Sequence, residues 1–396
     1  MDHTLEDARQ LFLQGIEHFE AGRFEPARTA FAESLALAPG RPSVLANLGI
    51  TLFHLGRLAE ATPLLREAVS ANTQHGEAWT ALGLSLEAQG QWQAAADALT
   101  QALALAPTQV HLWVSKGQCL LRLGRAQEAL QAYDQALAAN PAFADAWSVR
   151  GSLMRELEEL EEAARCFEQA LACGGDPELN GYYLASVKGS AAPPPPPRRY
   201  VEALFDDYAP EFQAHVVEQL RYQGYARLLQ PLIDRQRRFH RAIDLGCGTG
   251  LCGSLLHPLV DAVDGVDLSR AMLEEARKLG IYRTLSHADL VSFLESPQEK
   301  ADLVIAADVF IYVGDLHRIF ESVRRLLTPD GCFAFTVEAP AEGDDFQLLP
   351  SLRYAHSEAY IRRLAEAHGF SVDEISHAPI RYDQEQAVEG MYVYLR

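Results

Sequence analysis

Residues 241–250 read RAIDLGCGTG, and the fold of the second half of the chain turns on this stretch. The apolar run 242–245 predicts a short strand. Gly246, Gly248 and Gly250 then predict a turn into a helix, where a Cβ would block the backbone's approach to a ligand. A dinucleotide fingerprint is spaced GxGxxG. The spacing in this chain is GxGxG with Leu251 following, which favours a ligand without a pyrophosphate.

Working outward, a second strand is expected over 262–266, ending in Asp267 seventeen residues after Gly250. An acid at that strand end can accept from both hydroxyls of a ribose. Ser269 reads as the N-cap of a helix running to about Leu279. A third strand region ends in His287, Ala288, Asp289 and Leu290, where an acid can accept from an adenine amino group. A fourth strand is expected over 302–307 with Asp308 after it, then a helix over 316–327 and a turn over 328–331. A fifth strand follows over 332–338, and two more over 371–376 and 391–395.

The first half repeats. Gly15, Gly49, Gly83, Gly117 and Gly151 recur every 34 residues, and Ala27, Ala61, Ala95, Ala129 and Ala163 keep the same register. Large apolar residues hold another shared position, at Phe31, Leu65, Leu99, Tyr133 and Phe167. Pro39, Pro107 and Pro141 close three of the five units. Small residues let paired helices approach closely, and no unit buries its apolar face without its neighbours. Residues 8–175 therefore resemble tetratricopeptide (TPR) repeats. That resemblance implies an all-α superhelix with a concave face for a protein or peptide. Phe12, Phe19, Ala46, Phe53, Thr80, Glu87, Val114, Leu121, Ser148 and Arg155 are expected on that face. An array used only for dimerisation or rigidity is the competing reading.

The stretches DLGCGTG, GVDLSRAML, HADL and LTPDGCFAFTVE resemble those of class I methyltransferases, over about residues 200–396. The resemblance implies a Rossmann-like α/β sheet of seven strands with the last antiparallel, and S-adenosylmethionine as cofactor. It places Asp244, Gly246 and Gly248 at the methionine end, Asp267 at the ribose and Asp289 with Leu290 at the adenine, with Cys247, Gly250, Leu268, Asp308, Tyr200 and Tyr208 also against the cofactor. The segment YVEALFDDYAPEFQAHVVEQLRYQGYARLL resembles the lid helices of bacterial TPR-containing methyltransferases, with Gln213 and Gly224 departing from that pattern. Tyr200, Phe205, Tyr208 and His215 are thereby implied near the sulfonium or the substrate.

At the acceptor side, Asp308 and Tyr312 follow the fourth strand, where open α/β sheets bind ligands. His356 precedes a helix and is a candidate base; the alternative is a surface or capping residue. Arg381 is read as meeting a substrate anion or as one half of a structural ion pair. Tyr208 joins Asp308, Tyr312 and His356 as a candidate catalytic residue.

The domain reading is therefore an array over 1–175, a capping helix and proline-rich linker over 176–199, and a methyltransferase domain over 200–396 with lid helices over 200–235. Five prolines, 193–197, make the linker a semi-rigid spacer. A net charge of −20 argues against a nucleic-acid partner. The six scattered cysteines lack metal-ligand spacing, so no metal is expected. No apolar run reaches a membrane span, and no basic leader opens the chain, so a cytoplasmic protein is expected. The leading functional reading is methylation of a protein, peptide or peptide-like acceptor delivered by the repeats. A small-molecule O- or N-methyltransferase with repeats that dock it or dimerise it into a homodimer is the second. A non-catalytic adaptor stabilised by its cofactor is the third.

Overall fold

The computed structural model describes residues 2–189, 195–213, 222–235, 237–297, 299–340, 343, 345–383 and 386–396, with backbone alone at 2–3, 207–213 and 383. Contacts divide the chain into two units, Met1–Asp176 and Pro177–Arg396.

The first unit is a series of paired helices. They are α1 (Asp2–Glu20), α2 (Phe24–Leu37), α3 (Pro42–His54), α4 (Leu58–Ala71), α5 (Gly76–Ala88), α6 (Trp92–Leu105), α7 (Val110–Arg122), α8 (Ala126–Ala139), α9 (Ala144–Glu156) and α10 (Leu160–Ala172). The repeated glycines sit where the first helix of a pair meets the large residue of the second. A Cβ on Gly83 would stand 2.8 Å from Leu99, and Leu99 is wholly buried. Ala27, Ala61, Ala95, Ala129 and Ala163 are equally buried, so the period in the sequence is the period of the packing. The indole N–H groups of Trp79, Trp113 and Trp147 each donate to a carbonyl six residues back, which pins the turn between successive pairs.

Each pair turns through one left-handed residue. Glycine fills that place at Gly22, Gly56, Gly90 and Gly124, with φ between 69° and 72°. In the fifth pair Glu158 stands there at φ 63°. A side chain in this region is strained, and glycine is not. Glu158→Gly is expected to raise unfolding stability by about 1 kcal/mol, read as a higher urea midpoint at unchanged m-value.

The second unit opens with α11 (Pro177–Lys188). This helix, expected as a cap for the repeat stack, packs with residues of its own unit. Its buried Tyr182 and Ala185 pack with Leu348, Leu352 and Tyr354, and the Tyr182 hydroxyl donates to the Leu352 carbonyl at 2.7 Å. Large rings on one side of a helix go to whichever unit offers an apolar seat. Prolines 193 and 194 lie outside the described residues. Then come α12 (Arg198–Gln213) and α13 (Gly224–Asp234).

The sheet runs β1 (Phe239–Leu245), β2 (Val260–Asp267), β3 (Thr284–His287), β4 (Ala301–Ala306) and β5 (Leu327–Glu338) in parallel, in the spatial order β3-β2-β1-β4-β5. A short antiparallel pair follows, β6 (Phe346–Leu348) and β7 (Tyr354–His356). Strand β8 (Val372–Asp383) pairs antiparallel with β9 (Gln386–Leu395), which lies antiparallel against β5. Helices α14 (Leu251–Leu256), α15 (Arg270–Lys278), α16 (Leu290–Glu295), α17 (His317–Leu326) and α18 (Glu358–Ala367) connect the strands.

The expected seven strands are present, and β6 with β7 is an addition; strands of three residues carry no readable alternation. Residues 328–330, expected as a turn, belong to β5, with a register irregularity against β4 between Ala301 and Leu303. Ile243, Leu245, Val304, Phe333, Phe335 and Val393 form the core on one face of the sheet, against Phe310, Ile319, Phe320 and Ile361. Both faces are covered, so the parallel strands read as apolar runs.

Candidate functional site

The carboxyl ends of β1, β2 and β4 converge on the glycine turn, at the reversal of strand order around β1. Gly246, Gly248 and Gly250 adopt φ of 64°, 52° and 94°, all left-handed. Their surroundings differ. A Cβ on Gly246 would run into Val309, and one on Gly250 into Leu279 and Tyr282. One on Gly248 would meet nothing within 4 Å. Only Gly248 of the three leaves bare backbone facing open space. The reading that all three keep a ligand's path clear narrows to this one.

Asp267 ends β2 and is buried, and its carboxylate braces the turn. Oδ2 accepts the Gly248 N–H at 2.9 Å, and Oδ1 accepts the Ser269 N–H at 2.8 Å. Each oxygen keeps a lone pair for another donor. Burial raises the Asp267 pKa, and these backbone donors oppose the rise. Ser269 caps α15, its hydroxyl accepting from the Met272 N–H at 3.1 Å.

Asp244 lies buried beneath the turn. Its Oδ2 accepts the Tyr282 hydroxyl at 2.7 Å, and the Gly253 N–H also donates to the carboxylate. Burial pushes its pKa up to about 7, with the nearby Asp267 adding to the rise. Tyr282 fills the space under Gly250, Gly253 and Gly265, a role no sequence pattern announced. Cys247 and Cys252 are buried, and burial holds both thiols well above their usual range, so neither is a reactive thiolate. Asp289 follows β3 and caps α16, accepting the Ser292 N–H at 3.0 Å. Leu290 is half-buried against the core, and the Leu268 carbonyl bonds the His287 ring at 2.9 Å.

On the β4 side, Asp308 has a left-handed φ of 58°, and its N–H donates to the Thr336 hydroxyl at 2.7 Å. Arg381, from β8, is buried between two carboxylates, donating through Nη1 to Asp308 and through Nη2 to Glu338, each at 2.7 Å. The ion-pair alternative for Arg381 is the one the geometry contains. Burial raises the Glu338 pKa against the pull of Arg381 and Arg353. Tyr312 is pushed up to about 12 by burial, so its phenol keeps its proton at neutral pH. The Phe205 ring stands edge-on to it at 5.3 Å.

Two further expected residues are held by other partners. His356 is fully buried in β7, its Nε2–H donating to the Gly314 carbonyl at 2.8 Å and its ring stacked on Tyr360. Burial lowers its pKa to about 4, so it is neutral at physiological pH. The expectation of a base is corrected: β7 carries this side chain into the core and seals it from any acceptor. Tyr200 packs against Tyr182 and Tyr183, with ring centroids 6.0 Å from each. The side chains of Tyr208 and His215 lie outside the described residues.

A helical repeat array and a Rossmann-like sheet with an acid-braced glycine turn define a nucleoside-binding α/β enzyme fold carrying a protein-interaction module. Comparison with known proteins narrows the class. Residues 216–375 match the family model of the methyltransferase domain, and 12–77, 80–142 and 127–177 match that of the tetratricopeptide repeat. A malonyl-[acyl-carrier protein] O-methyltransferase from Geobacter sulfurreducens is 31% identical over 191 residues, 46% of this chain and 69% of that one. A trans-aconitate 2-methyltransferase from Rhizobium leguminosarum is 38% identical over 25% of this chain and 38% of its own length. A crystal structure of MamA protein is 26% identical, covering 44% of this chain and 93% of that one at a TM-score of 0.41. The chain belongs to the S-adenosylmethionine-dependent methyltransferases, with tetratricopeptide repeats ahead of the catalytic domain. It spans about half the length of the first curated relatives it matches.

The family implies S-adenosylmethionine, and the residues fit it. The Gly248 backbone is open, and Asp267 keeps acceptor capacity for a sugar. The Thr249 hydroxyl, buried in the same turn, has no hydrogen-bond partner among the described residues. A polar ligand in the turn is what that orphaned group lacks. No described helix is long and apolar enough to cross a membrane, and no described cluster has the makings of a metal site.

Proposed function

We propose that the second unit transfers a methyl group from S-adenosylmethionine to an oxygen of a small carboxylic acid, and that the repeats hold a protein partner. The observation that carries the cofactor half is Asp267 bonded to both Gly248 and Ser269 beside bare backbone. Asp267 would hold the ribose, the 246–250 turn the methionine end, and Asp289 the adenine. When bound, the cofactor supplies a methyl group already activated by its sulfonium, so the protein's task is to position and to exclude water.

The acceptor half rests on what the mouth offers among the described residues. A hydroxyl or ammonium acceptor needs a base, while a carboxylate arrives ionised. His356 is sealed away, and Tyr312 holds its proton. Tyr312 is thus a donor suited to orient an acceptor oxygen, with Asp308 held back by Arg381. Several of the curated relatives are named for trans-aconitate or for malonyl-[acyl-carrier protein], which favours a carboxylic acid over the protein acceptor expected from the repeats. The test incubates the full chain with methyl-labelled S-adenosylmethionine and host extract. Base-labile label in the small-molecule fraction is expected. Base-stable label confined to protein would sink the reading.

Asp244 adds a pH dependence. Its pKa is raised to about 7, so it is mostly neutral below that value and ionised above it. A carboxyl raised in this way stabilises the ligand-free fold while protonated, and that contribution is lost as pH rises through 7. A cationic ligand beside it favours the ionised form. Affinity for S-adenosylmethionine is therefore expected to strengthen about three- to tenfold from pH 6 to pH 8 by calorimetry. S-adenosylhomocysteine, which lacks the sulfonium charge, is expected to gain less, and Asp244→Asn to flatten both profiles.

A further inference from the structure

Asp206 lies on α12, in the LFD stretch 204–206 of the segment that resembles lid helices, where the sequence assigns it no role. Its Oδ1 accepts the Ser269 hydroxyl at 2.5 Å and the Ala271 N–H at 3.3 Å. The carboxylate thus sits on the first turn of α15, where a negative charge is favoured. The chain of bonds continues inward. Ser269 N–H donates to Asp267 Oδ1, and Gly248 N–H to Asp267 Oδ2. One run of hydrogen bonds joins α12, the acid at the end of β2 and the glycine turn.

The residue before it reaches the other wall. Phe205 sets its ring edge-on to Tyr312, at an interplanar angle of 84°, beyond the end of β4. Successive side chains on a helix point about 100° apart. One turn of α12 therefore touches the β2 side through Asp206 and the β4 side through Phe205. Between these contacts lies the crevice where the strand ends converge.

We propose that Asp206 is a positioning residue for the cofactor site: it latches α12 to the start of α15 and sets how slowly S-adenosylhomocysteine leaves. The proposal rests on the cofactor reading above. The latch acts through Ser269 on Asp267. Two hydrogen bonds on an exposed carboxylate make it strong enough to slow release and weak enough to open on every cycle. Breaking it frees α12 from the β2 wall while the Phe205 contact remains.

The test preloads the full chain with labelled S-adenosylhomocysteine, chases with unlabelled compound and follows retention by rapid filtration. Asp206→Ala is expected to speed release about three- to tenfold. Its association rate and the Tm of the ligand-free protein are expected to stay at wild-type values. A general loss of structure would lower that Tm. Asp206→Asn keeps an oxygen to accept from Ser269 and Ala271, and is expected to restore most of the slow release. Wild-type release from Asp206→Ala would overturn the latch, as would equal acceleration by the alanine and asparagine variants. Wild-type protein that retains no labelled compound would overturn the cofactor reading, and the latch with it; the two failures are thereby distinct.

Discussion

Asp267→Asn is expected to weaken S-adenosylmethionine binding by about two to three orders of magnitude and to leave the fold intact. Both carboxylate oxygens of Asp267 accept backbone N–H groups, from Gly248 and Ser269. An asparagine has one oxygen and one NH2, so one of those backbone donors would face another donor. The turn then loses one of its two braces. The ribose loses one of two charged acceptors at the same time. A hydrogen bond to a charged group is worth about 1.5–3 kcal/mol, and an unsatisfied buried donor adds a similar penalty. About 1.4 kcal/mol is tenfold in affinity, which gives the stated loss. Stability moves less. Burial raises the Asp267 pKa, so removing the charge offsets part of the cost of the unmatched donor in the ligand-free protein. The expected pair of results is therefore a ligand-free Tm within a few degrees of wild type and little thermal shift on adding S-adenosylmethionine. Calorimetry returning a Kd within about threefold of wild type would remove Asp267 from the site.

What the sequence displayed and what it hid divide along physical lines. The repeats were legible because a 34-residue period forces the same contact to recur, as at Gly83 against Leu99. The glycine turn and Asp267 were legible because strand, turn and acid follow one another along the chain. Ser269 as a cap was legible for the same local reason. The contacts that tune the site were not. Tyr282 meets Asp244 across 38 residues, and Asp206 meets Ser269 across 63. Nothing local distinguishes either side chain from its neighbours. His356 misled because a polar residue just before a helix reads as exposed, whether as a base or as a cap. In the structure it belongs to β7, whose neighbour Ala355 pairs with Glu338, and its ring turns inward. Helix α11 was legible only in part, since its rings announce a buried face without naming the Leu348, Leu352 and Tyr354 that cover it.

Asp264→Ala is expected to cost about 3–5 kcal/mol of unfolding stability. Asp264 is 1% exposed, in the middle of β2. Its carboxylate accepts Arg241 Nε at 2.7 Å, Arg283 Nε at 2.9 Å and Nη2 at 2.6 Å, and the Thr284 hydroxyl at 2.7 Å. These partners come from β1, from β3 and from the residue before β3, so one side chain ties three strands together. Arg241 is itself buried, and the substitution removes the carboxylate that balances its charge. A buried ion pair broken from one side costs more than the pair contributes when whole. The arginines and Thr284 hold the Asp264 pKa below its ordinary value despite the burial. For a carboxyl depressed in this way, the stability is present above its unfolded value near 4 and is lost as pH falls through the folded value. The wild-type protein is therefore expected to lose this contribution only in strong acid, and the alanine variant to lack it at every pH. Urea midpoints at pH 7, pH 4 and about pH 2 test both claims: the gap between the two proteins should be large at pH 7, persist at pH 4 and narrow only in strong acid. A gap below about 1 kcal/mol at pH 7 would mean that packing of β1, β2 and β3 holds this edge without its charges. The network lies three residues before Asp267 on the same strand. Saturating S-adenosylmethionine is expected to recover part of the lost stability by mass action, provided β2 still presents that acid to the ribose.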